Sequence, residues 1–115
     1  MTTADEKLDL LRAIAAALEN DGPVEVGTMF RSPGIRTGGK IVAFLGRNDR
    51  LIVKLPRDRA LALIDASAAE SVTMGTRTMR EWVAIPSEAG AAETERKWTD
   101  YAREALVYAR QIGAS

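Results

Sequence analysis

A small α+β domain with a mostly antiparallel sheet and N-terminal, middle and C-terminal helices is what the sequence predicts. Three observations carry this expectation. Segments with helical spacing open and close the chain, apolar runs of strand length fill its middle, and the one tight connection between such runs is a hairpin, with no regular alternation of strand and helix. The 115 residues suit a single domain over 1–115. Apolar residues make up 46% and charged residues 28%, an ordinary globular balance that argues against disorder, collagen-like repetition and a coiled-coil rod.

The first helix is expected from Thr3, where Thr3 and Glu6 form a capping-box pattern. Leu8, Leu11, Ile14, Ala15 and Leu18 then recur on one side, while Lys7, Asp9, Arg12 and Glu19 point away. Gly22 and Pro23 supply the stop. From Val24 the period falls towards two, so Val24, Val26, Thr28 and Phe30 share one side of a strand, and Ser32-Pro33-Gly34 reads as a closing turn. Residues 31–40 are accordingly expected to be a loop. Lys40 to Leu45 is apolar on both faces, as a covered central strand would be. The polar stretch Arg47-Asn48-Asp49-Arg50 turns it into a partner strand, Leu51 to Leu55.

A middle helix is predicted over Pro56 to Ala66, with Pro56 in its first turn and Ala60, Leu61, Leu63 and Ile64 as its apolar stripe. Residues 68–78 read as loop, holding at most a short strand around Val72 and Met74. Met79 to Ile85 is a further strand, with Met79, Glu81, Val83 and Ile85 on one face and Arg80, Trp82 and Ala84 on the other, ended by Pro86. The last helix, Thr94 to Ile112, places Trp98, Tyr101, Ala102, Ala105, Tyr108, Ala109 and Ile112 on one side. Arg96 and Asp100 stand at a favourable ion-pair spacing on it.

The chain contains no His and no Cys. That excludes disulfides, thiolate nucleophiles, imidazole bases and zinc sites built on sulfur or nitrogen. Asp65, Glu70 and Glu81 have no spacing that forces a catalytic carboxylate pair, so no catalytic residue, cofactor or metal ligand is expected. Lysine and arginine number 16, as do aspartate and glutamate, but residues 23–60 hold eight basic groups against three acidic ones. With a pI near 6.3 the chain lacks the strongly basic footprint of nucleic-acid binders, and no direct nucleic-acid contact is expected. The opening Met1-Thr-Thr-Ala-Asp-Glu6 lacks the form of a signal peptide, and no apolar run has membrane-spanning length, so a cytoplasmic location away from membranes is the expectation.

Gly34-Ile-Arg-Thr-Gly-Gly-Lys40 matches the first seven positions of a phosphate-binding loop, but Ile41 stands where a Ser or Thr is required and a strand follows where a helix should. It reads better as a Gly-rich hairpin connection with Gly38 and Gly39 at positive φ. Trp82 and Trp98 read as core residues. Lys54, inside an apolar strand, needs a partner, and Glu81 on a neighbouring strand is the expected one. If the domain binds an anion or a partner, the surface expected to do so comprises Arg31, Arg36, Lys40, Lys54 and Arg80.

The blocks Met29-Phe30, Pro33-Gly34-Ile35, Gly39-Lys40-Ile41-Val42-Ala43-Phe44, Leu51-Ile52-Val53-Lys54-Leu55 and Met79-Arg80-Glu81-Trp82-Val83 are followed by Trp98, Glu104-Ala105 and Tyr108. In this order they resemble the bacterial TfoX N-terminal-domain family, over roughly residues 5–112. Lys54-Leu55-Pro56 and the Met-Arg-Glu-Trp-Val block are also similar to MmcQ/YjbR-like proteins. The chain departs from the pattern in carrying Phe30-Arg31-Ser32 where many relatives have a Phe-Gly-Gly-like turn, and it is expected to stand without the helical C-terminal half of longer members. The resemblance implies a compact α+β domain, a tie to the regulation of natural competence, and no catalytic residue or cofactor. The resulting expectation is a non-enzymatic cytoplasmic module acting through protein contacts or self-association in regulation. The alternative is a small-ligand or anion-binding domain built on the basic loop 31–40.

Overall fold

The computed structural model describes residues 4–20, 22–29, 32–46, 50–74 and 77–113. Helix α1 spans Ala4–Leu18 and buries Leu11, Ile14, Ala15 and Leu18, the stripe its spacing predicts. Thr3, the expected cap, lies outside the described residues. The helix ends before Gly22; a short turn intervenes, and Gly22 then takes a φ of +153° open to glycine.

Six antiparallel strands follow in the spatial order β1-β2-β3-β4-β6-β5: β1 Glu25–Met29, β2 Ser32–Thr37, β3 Lys40–Leu45, β4 Arg50–Lys54, β5 Glu70–Met74 and β6 Arg77–Pro86. The expected loop at 31–40 is corrected here. Residues 32–37 form β2, paired with β1 on one side and β3 on the other, and among the described residues of that stretch only Gly38 and Gly39 turn. Ser-Pro-Gly is a turn signal in isolation, yet the ladder with β3 begins only at Gly34, so Pro33 sits at the strand's beginning where a missing N–H does least harm. Gly38 and Gly39 have φ of +54° and +81°, as a two-residue hairpin turn requires and as the sequence predicts. The expected strand end at Phe30 and the polar turn at 47–49 lie outside the described residues.

The β3–β4 hairpin stands as expected, through Ala43 opposite Val53, Phe44 opposite Ile52 and Leu45 opposite Leu51. Residues 70–74, read as mostly loop, are the edge strand β5, whose β-favouring Val72 and Thr73 pair with the otherwise open side of β6. Helix α2, Arg57–Asp65, begins just after Pro56 and buries Ala60 and Leu63. Leu61, expected in its stripe, is 47% exposed, because a helix this short presents only a narrow face to the sheet.

Helix α3, Ala91–Gly113, starts three residues earlier than predicted. Its beginning is tied down by Thr94, whose hydroxyl accepts from Glu88 N–H at 2.8 Å and donates to Gly90 C=O at 2.9 Å. Trp98, Ala102, Ala105 and Ala109 are buried as expected, joined by Leu106, which the predicted stripe omitted. Trp98 is 2% exposed, and its indole N–H donates to the carbonyls of Ile85 and Pro86 at 3.1 and 3.2 Å. Asp100 pairs with Arg103 at 3.6 Å rather than with Arg96.

One core unites all three helices with one side of the sheet: Leu11, Ile14, Leu18, Ala60, Leu63, Trp98 and Leu106 pack with Ile35, Leu45, Leu51, Val53, Leu55, Val83 and Ile85. The molecule therefore has two layers, with α3 against β2, β3 and β4, α1 against α3 and the β1–β2 side, and α2 against β6 and β5, all on the same side of the sheet. No helix among the described residues is long and apolar enough to cross a membrane.

Candidate interaction surface on the open sheet face

Directly opposed residues of an antiparallel ladder share a face, so the register identifies what lies on the side away from the helices. One row runs Gly27, Gly34, Phe44, Ile52, Ala84, Glu70 across all six strands. Phe44 and Ala84 are buried yet stand outside the helix-side core, as residues of the opposite face should. Next to it runs a row from Glu25 through Arg36 and Ile41, then Lys54 and Trp82, while Val42 at the β3 irregularity is fully buried in the helix-side core. Val42 is the extra residue there, one step past the Ala43–Val53 pair.

Three residues far apart in sequence, Arg36, Lys54 and Trp82, thus share one row, Lys54 and Trp82 directly opposed on β4 and β6 and Arg36 on β2 with β3 between. Lys54 is half-buried, with its Nζ 5.8 Å from the centre of the Trp82 ring. The expected Lys54–Glu81 pair is corrected: Glu81 sits opposite Leu55, on the helix side, where its carboxylate accepts the hydroxyl proton of Tyr108. Trp82 in turn meets Phe44 edge to face at 5.6 Å. The expectation that both tryptophans are core holds for Trp98 alone, since Trp82 is half-buried on the open face.

Arg36 crosses the bare backbone of β1. A Cβ at Gly27 would lie 3.1 Å from its Nη2, so a larger residue there would oblige the guanidinium to shift by a few tenths of an ångström. Its Nε is buried and has no hydrogen-bond partner among the described residues. Leaving such a donor unsatisfied costs about 1–3 kcal/mol, which makes this side chain one that gains from a new acceptor. Arg50, by contrast, is engaged with Glu70 on the same face and holds that carboxyl below its usual range. Of the other expected surface residues, Lys40 is exposed at the hairpin turn opposite Thr37. Arg80 lies on β6 two residues before Trp82, its side chain outside the described set, and Arg31 lies outside the described residues altogether.

Sequence reasoning singled out Arg36 and Lys54 but missed that Phe44 and Ile52 share their face. The hairpin register would have supplied that signal, since pairing Leu45 with Leu51 obliges Phe44 to face Ile52. A concavity of about 480 Å³ between α2 and α3 is lined by mixed charges. Much of that charge is internally matched, through Arg59 with Glu104 at 2.9 Å and Lys97 with Glu88 at 2.8 Å. Among the described residues no group of three or more Asp or Glu is placed to hold a metal ion.

The Tyr108–Glu81 contact gives a pH prediction. The hydrogen bond to Glu81, helped by desolvation and by the nearby negative charge, raises the Tyr108 pKa. The native state then holds its proton more tightly than the unfolded chain, so this stabilisation is complete below about pH 10 and is lost as pH rises through the raised value. In a Tyr101→Phe background, tyrosinate absorbance should show Tyr108 ionising at lower pH once Glu81→Gln is introduced; an unmoved titration would contradict the contact.

No protein-family model matches the chain, and no curated protein matches it.

Proposed function

We propose that this chain is a non-enzymatic, cytoplasmic protein-interaction module of TfoX N-terminal-domain type, with a regulatory role, and that its contact surface is the open face of the sheet. The observation that carries the reading is a mid-sheet aromatic pair, Phe44 and Trp82, flanked by Lys54 and by Arg36 with its unsatisfied Nε. Aromatic and arginine side chains that lose water on contact are the groups that dominate protein interfaces. The absence of His and Cys supports a role in binding over catalysis. The even balance of 16 basic and 16 acidic residues favours a protein partner over nucleic acid.

The family assignment and the regulatory role rest on the resemblance. Three of the blocks that carry it lie on β3, β4 and β6, which are adjacent in the sheet and bear Phe44, Lys54 and Trp82. The anion-binding alternative loses its loop, because residues 32–37 are strand and their backbone groups are committed to ladders with β1 and β3.

The test compares the wild-type chain with Trp82→Ser on the open face and Leu61→Ser on the exposed side of α2, each checked for an unchanged melting temperature. A partner co-purifying with wild type should survive Leu61→Ser and be lost, by tenfold or more in affinity, with Trp82→Ser. A partner retained equally by both variants would refute the open face as the contact surface.

A further inference from the structure

From the charges on the open face we infer that its partner presents an extended acidic segment that also carries an apolar residue. The inference rests on the open face being the contact surface and adds the chemistry of what covers it. Arg36 and Lys54 are cations without a carboxylate: neither makes an ion pair among the described residues, whereas Arg50 on the same face is matched by Glu70. Glu25 stands opposite Arg36 at the outer edge of the row, exposed and not bonded to it, so it does not supply the missing acceptor. Complementarity therefore calls for negative charge from outside.

Spacing selects the kind of segment. Arg36 on β2 and Lys54 on β4 are separated by β3, about 9–10 Å at the usual strand spacing, and Trp82 on β6 lies one spacing further, near 14 Å. An extended peptide laid across the strands places side chains of one face about 7 Å apart, so positions i, i+2 and i+4 reach about 14 Å in turn. A five-residue extended stretch therefore spans the row, with carboxylates reaching Arg36 and Lys54 and an apolar side chain reaching the ring of Trp82. A carboxylate offers the Arg36 guanidinium paired acceptors, and taking the buried Nε into that fork requires the side chain to lift off Gly27. A small inorganic anion engages one cation and leaves the aromatic pair uncovered.

The probe is a fluorescein-labelled peptide of sequence Ser-Glu-Ser-Glu-Ser-Leu-Ser, with a Lys-for-Glu version and inorganic phosphate as comparisons, read by anisotropy and by amide and indole NMR shifts. The acidic peptide should shift β2, β3, β4 and the Trp82 indole, weaken as salt rises, and bind at least tenfold more tightly than the Lys version. Arg36→Gln combined with Lys54→Met, which keeps the lysine stem over Trp82, should lower its affinity at least tenfold at an unchanged melting temperature, and Glu25→Gln should raise it. Equal binding of the two peptides, or undiminished binding by the double variant, overturns the inference. So does phosphate saturating the same residues as tightly as the peptide, which would make this an anion site. If the acidic peptide fails to bind while Trp82→Ser still abolishes partner capture, the surface stands and its acidic occupant is wrong; if both fail, the surface falls as well.

Discussion

Replacing Trp98 with alanine should lower the stability of this domain by about 3–5 kcal/mol, the range for losing a large buried aromatic. Trp98 is 2% exposed and contacts the core from α3, so its removal leaves a cavity bounded by strand and helix residues that cannot close fully. The loss also strips a donor from the carbonyls of Ile85 and Pro86 at the end of β6. Set against a total stability of about 5–15 kcal/mol, this threatens folding itself. Chemical denaturation should show the midpoint falling sharply, and Trp98→Phe, which keeps a ring and gives up the N–H, should lie between the two. A Trp98→Ala protein that melts with the wild type would mean that the core is not organised around this ring.

The second large effect is a contrast between neighbours on β4. Leu51 is fully buried between Leu45 and Ile85 under the helices, and Leu51→Ala should cost about 2–5 kcal/mol. Ile52 points to the opposite face, half-buried between Phe44 and Ala84, and Ile52→Ala should cost about 1 kcal/mol, in keeping with the smaller apolar area it hides. Urea titrations of the two variants measure this directly. Equal losses would show that the open face is as firmly packed as the helix side, and would remove the physical basis for reading it as a contact surface.

The open face is stable in isolation for an identifiable reason. Phe44 is covered by its own sheet neighbours, including Trp82 edge to face, and Lys54 lies over the Trp82 ring. The apolar area is thereby reduced without a covering helix, and a partner can exchange these side-chain covers for its own. Arg36 is different, because its buried Nε remains unsatisfied where it lies across Gly27. That makes Arg36 the more sensitive reporter of an arriving acceptor, and Lys54 the more tolerant one.

What the sequence determined by itself was whatever a stretch of about ten residues encodes: the buried stripe of α1, the β3–β4 hairpin, the two faces of β6 from Glu81 to Ile85, the Gly38-Gly39 turn and the long apolar side of α3. Each follows from local periodicity or from backbone conformations that only certain residues adopt. The tertiary structure alone decided that 32–37 and 70–74 are strands, because their weak local preference yields to ladders supplied by distant segments. It alone paired Glu81 with Tyr108 and left Lys54 to Trp82, and it alone brought Arg36 into the same row. Cross-strand neighbours are set by register between segments tens of residues apart, and a single-residue shift in register reverses the face on which every side chain falls.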